Sequence, residues 1–195
     1  MKNLLLLVLV SFSHALFADS FVVKNDGSKA VIKSNSFRLD IGEKKIYYKL
    51  LDDDSEIKMS FKDFEYVVYG VNKFKTFKFK NSNEFSGYFV IAETSEYSLI
   101  SIVSQNLEYE NSSKSSYIFH ILNAKNEIID THEFTNLENS KESSIRSEIY
   151  SKIRFYFSTC TMLLNRLNYF DRNSQQLNNT SILNFFDKPV YVDCK

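Results

Sequence analysis

The chain has no tryptophan, one proline, four glycines and two cysteines in 195 residues. So few glycines leave no Gly-rich loop to cradle a phosphate, and no Gly-x-Ser-x-Gly, His-Glu-x-x-His or Walker pattern occurs. Without tryptophan the strongest sugar-stacking ring is missing. The 12 Tyr and 18 Phe fall mostly on alternating strand positions, which assigns them to core packing. An excess of one charge is also lacking, since Lys+Arg and Asp+Glu are 24 each. A protein held by phosphate neutralisation is basic overall, so nucleic acid is not an expected partner. What is present is globular: 44% hydrophobic and 25% charged residues, in a length suited to one domain.

The N-terminus carries the three parts of a secretory signal peptide. Met1-Lys2-Asn3 is a positive start, Leu4 to Val10 an apolar run, and Ser11 to Ala18 a region with small residues. Cleavage is expected after Ala18, leaving Asp19 first; Ser13-His14-Ala15 offers a second point, leaving Leu16. The run falls well short of the roughly 20 residues that span a bilayer, and no later stretch reaches that length. Residues 1–18 therefore read as a leader and 19–195 as one exported domain. Lys outnumbers Arg 19 to 5 and Asn, Ile, Phe and Tyr are abundant. That bias follows A/T-rich codons, as in an AT-rich Gram-negative bacterium, and points to the periplasm or cell surface.

From residue 19 to 135 short β-type runs alternate with turn signals. Phe21-Val22-Val23, Asn25-Asp26-Gly27 and Ala30-Val31-Ile32 make an opening hairpin. Tyr117 to Leu122 and Ile128 to Phe134 make a closing one. From 136 to 195 the period changes. Ile145, Ile149, Ile153, Tyr156, Phe157, Cys160, Leu163, Leu164 and Leu167 recur every three or four residues. That spacing predicts one amphipathic helix of about seven turns, with Lys152 and Arg166 on its solvent side. Asn139 and Glu142 offer a capping pair at its start. Ile182 to Phe186 is a short helix, and Val190-Tyr191-Val192 an extended tail. The fold class is α+β: an antiparallel β-sandwich or open barrel of about eight to ten short strands, then the long helix, the short helix and the tail.

The matching pieces Asp26-Gly27, Ile46-Tyr47-Tyr48-Lys49, Asp63-Phe64 through Tyr69-Gly70, and Phe157 with Cys160 occur in a particular order. In that order the chain resembles an uncharacterised family of small exported bacterial proteins. The resemblance implies export and a β-rich body closed by a helix bearing a Cys; it implies no chemistry. The second Cys, at 194, departs from the pattern.

Several constellations bear on chemistry. Cys160 and Cys194 are an even pair in an exported chain, which favours a disulfide pinning the tail across the helix. Closing that loop is worth about 3–4 kcal/mol in the chain-entropy account. His120, Asp130 and His132 lie in the closing hairpin. If Asn126 takes a left-handed bulge position and Asn123 pairs with Glu127, His120 faces Asp130 and Ile118 faces His132. All three then sit on one face, as a His–Asp pair or two nitrogens and a carboxylate for zinc. Asp52, Asp53, Asp54 and Glu56 lack calcium-loop spacing and read as a solvated turn. Lys73, Lys75, Lys78 and Lys80 interleave with Phe74, Phe77 and Phe79. The alternation slips near Thr76, which predicts a bulged, lysine-protected edge strand, with attraction to an anionic envelope glycolipid as a second use. No catalytic residue, metal or cofactor is assigned. The reading is a non-enzymatic binding or structural module of the cell envelope, partnered by an envelope protein or a glycan. Its rival is a small periplasmic hydrolase whose carboxylates converge in the fold.

Overall fold

The computed structural model describes residues 20–80, 82–106, 114–135, 143–173 and 185–195. The expected leader, the Asn139–Glu142 cap and most of the expected helix at Ile182–Phe186 lie outside them.

The chain is α+β, strands first and helices last. In order come β1 (Phe21–Lys24), β2 (Lys29–Val31), β3 (Arg38–Asp40), β4 (Lys45–Lys49), β5 (Glu56–Ser60) and β6 (Phe64–Tyr69). Then come β7 (Asn72–Phe77), β8 (Ser86–Glu93), β9 (Tyr97–Asn106), β10 (Lys114–Asn123) and β11 (Ile128–Thr135). The helices α1 (Ser143–Tyr156) and α2 (Thr161–Asn173) follow, with β12 (Val192–Asp193) last. The main sheet is open rather than a closed barrel, in the order β11-β10-β9-β8-β7-β6-β1-β2, with β12 parallel to the end of β8. A second sheet is β3-β4-β5. The opening hairpin turns at Gly27, whose φ of 80° suits the residue without a Cβ.

Register decides what covers the main sheet. Val22, Val67, Phe74 and Phe89 are aligned across β1, β6, β7 and β8, so their side chains share one face. Phe89 opposes Ser101, which opposes Phe119, so that face continues across β9 and β10. The small sheet packs on its first half through Ile46, Tyr48 and Phe61. The helices pack on its second half, where Ile149, Ile153, Phe157, Leu163 and Leu167 meet Phe119, Ile121 and Phe134. Both covering layers thus lie on the same side. Gly87 shows how tightly they close: a Cβ there would sit 2.8 Å from Phe61 Cε2 and nearer still to the Phe74 ring.

The expected single helix is two. A tight turn at Phe157–Cys160 separates α1 from α2, with Cys160 N–H donating to Phe157 O at 3.0 Å. Ser158, Thr159 and Thr161 are weak helix formers whose hydroxyls compete for backbone groups. The apolar period survives the break because both helices cover the same face. In α2 the fully buried residues are Leu163 and Leu167, whereas Leu164, expected on the stripe, is half-buried. Arg166 is not on a solvent side either. Its guanidinium donates to the carbonyls of Phe185, Lys188 and Val190 and lies 4.4 Å over the Phe185 ring. Burial draws it down to about 10, so it stays charged. Lys152 is half-buried, 2.8 Å from Asp130 and 3.4 Å from Glu148. Cys160 and Cys194 lie at disulfide distance, with Cα atoms 5.3 Å apart.

Candidate functional site

Among the described residues, neither the helices nor the small sheet covers the opposite face of the main sheet, which is its open face. Its apolar cluster is Phe77, Val90, Ile100 and Leu122, with Phe79, Tyr88 and Tyr191 packed against it. Among the described residues, this cluster draws only on the sheet's own strands, on Phe79 and on the tail. Phe79 follows the end of β7 and stacks parallel on Phe77, with ring centroids 5.7 Å apart.

The structure separates the three residues of the closing hairpin. Asn126 does take a left-handed φ of 58°, and Asn123 N–H donates to Glu127 O. Leu122 then opposes Ile128, but Ile121 opposes Asp130, so Ile129 is an extra residue that shifts the register by one. A one-residue slip moves every later side chain to the other face. His120 therefore opposes Thr131 and bonds its hydroxyl through Nδ1 at 2.9 Å. It lies on the open face, edge-on to Tyr88 and Phe79, and burial holds its pKa below the usual value. Asp130 and His132 lie on the covered face, against Lys152 and Glu148 of α1. Among the described residues no group of His, Cys, Asp or Glu is placed to hold a metal.

A polar cluster that the sequence did not single out sits on the open face. Glu93 is 5% exposed. Lys73 Nζ lies 2.5 Å from its Oε2, and the Tyr191 hydroxyl donates to the same oxygen at 2.9 Å. The ammonium also lies 5.0 Å from the Tyr66 ring centroid and 4.6 Å from that of Tyr191. Burial pushes the Glu93 carboxyl up, but the Lys73 hydrogen bond and charge, with Tyr191, more than offset it, so it sits below the usual range. The cluster clasps the tail: Tyr191 N–H donates to Val71 O and Cys194 N–H to Glu93 O. The one sequence signal was a carboxylate closing the apolar run that precedes it.

The lysine-rich strand, expected at an edge, is internal. β7 pairs with β6 and β8, without a register shift on either side. The edges of the sheet are β2 and β11. Nor is there a bulge near Thr76. Its side chain takes a core position on the covered face, where its hydroxyl donates to Phe64 O at 2.7 Å. The alternation slips because Phe77 lies on the same face as Lys73 and Lys75, where it joins the open face's own apolar cluster. Beyond that end, Lys78, Phe79 and Lys80 border a groove of about 690 Å³ whose far wall is the hairpin tip, Lys125 to Ile128. β7 and β10 are three places apart in the sheet, so the open face is concave here. Lys75 and Glu65, 4.0 Å apart, also border it. The acidic turn is a self-satisfied surface turn, with Asp53 accepting from Ser55 N–H and Asp54 paired with Lys33. No protein-family model, curated protein or solved structure matches the chain.

Proposed function

We propose that the protein is an exported, non-enzymatic binding module of the bacterial cell envelope, and that its binding surface is the open face of the main sheet. The observation that carries this is the one-sided covering among the described residues. Helices and small sheet share one face, while the other holds a concave groove with four lysines on its walls. The volume is that of a small-ligand site. Export is supported by the tripartite leader read in the sequence and by the cysteine pair, which suits an oxidising compartment. No described helix is long and apolar enough to cross a membrane. N-terminal sequencing of protein from the envelope fraction should read from Asp19, or from Leu16; a retained Met1 would contradict export with cleavage.

A second reading, the small hydrolase, has one specific observation behind it: Glu65 and Glu127 border the same groove. A general acid, however, needs a carboxyl raised toward neutrality. Glu93, the deeply buried carboxylate of this face, moves the other way and is committed to the clasp.

A further inference from the structure

We infer that the groove takes an anionic sugar: a glycan bearing isolated phosphate or carboxylate groups, free or as the headgroup of a glycolipid. The inference rests on the open face being the binding surface. Its lining selects this class in three ways. Lys78 and Lys80 on one wall and Lys125 on the other are exposed cations, so an anion between them is attracted from both sides. Glu65 and Glu127 border the same space. They would repel a densely charged polyanion, such as nucleic acid or polyphosphate, at each repeat. A sugar instead uses them, because carboxylate oxygens accept from its hydroxyls while the lysines meet its sparse charges. Finally, half-buried Phe79 and Ile128, 41% exposed, present apolar surface to the C–H face of a sugar ring.

Other occupants fit the groove less well. A peptide added as a strand needs a free sheet edge. β7, which forms one wall, is paired on both sides, and the edge strand β11 borders the groove only through its first residue, Ile128. Single-stranded nucleic acid needs a track of open rings. Phe77 and Tyr88 are instead packed against each other and against Phe79.

The test is a titration of isotope-labelled, oxidised protein followed by amide chemical shifts. The probes are a glucosamine disaccharide carrying one phosphate, the same disaccharide without it, inorganic polyphosphate, and a thymidine oligonucleotide. The phosphorylated disaccharide should shift Lys78 to Lys80 and Lys125 to Ile128 and bind about tenfold more tightly than the bare one. It should also bind more tightly than either polyanion. Lys78→Gln with Lys80→Gln, both at exposed positions, should remove most of that gain. Glu127→Gln should weaken the sugar and strengthen polyphosphate. Presenting the phosphodisaccharide on lipid vesicles separates the sources: tighter binding there assigns a glycolipid headgroup, equal binding a free glycan. If polyphosphate or the oligonucleotide binds most tightly at these residues, the sugar assignment falls and the open-face reading stands. If no probe shifts them, both fall.

Discussion

Replacing Phe157 by alanine is expected to cost about 3–5 kcal/mol, because lost transfer energy and a residual cavity add. Phe157 is fully buried just past the C-terminal end of α1, within the cluster that joins the helices to β8–β11. It also sits three residues before Cys160, where the chain turns into α2. A domain has only about 5–15 kcal/mol in total. The melting temperature should therefore fall by roughly 6–20 °C. Lys152→Ala, which removes a half-buried ion pair on the same helix, should cost no more than about 1 kcal/mol. Equal and small losses from both variants would mean that the helices are not docked on the sheet.

Lys73→Met is the other large effect. It leaves Glu93 buried with the Tyr191 hydroxyl bond and the more distant Lys75 charge, and stranding one partner of a buried pair costs about 3–5 kcal/mol. The pH dependence identifies the cause. In the native protein the folded Glu93 carboxyl lies below its usual range. Its contribution is therefore complete above the unfolded value, about 4.3, and is lost as pH falls through the folded value. Without Lys73, burial dominates and the folded value rises above the unfolded one. The variant's deficit should then shrink as pH falls toward about 4, as urea midpoints will show. Adding Glu93→Leu should restore most of the stability, since an apolar replacement of both partners is nearly neutral. A deficit that is constant from neutral to acid pH would remove the clasp from the account.

Local patterns made the strand-rich body and its first and last hairpins legible. Asn25-Asp26-Gly27 and the Asn123–Glu127 turn announced both hairpins. Three things needed the folded chain. The bulge at Ile129 is silent in a run of two isoleucines, both about 40% exposed, yet it sends His120 to one face and Asp130 and His132 to the other. The central position of β7 depends on pairing with β6 and β8, and its lysines read equally well as an edge. The break at Phe157–Cys160 leaves the apolar period intact, so periodicity alone could not reveal it. The clasp and the groove were the least legible. Lys73, Glu93 and Tyr191 meet across separations of 20 and 98 residues, and the groove joins the end of β7 to a hairpin tip more than forty residues on.

The central claim is that ligand is taken on the open face and not on the helical one. Photocrosslinking in cells that export the protein tests it most directly, with a benzoylphenylalanine placed at Lys78 in one variant and at Phe155 in another. Phe155 lies on α1 and is 76% exposed, so exposure alone favours that position for contact with a partner. A discrete adduct is expected from position 78, lost when Lys80 and Lys125 are changed to Glu, and none from position 155. An adduct from 155 with none from 78 would contradict that claim.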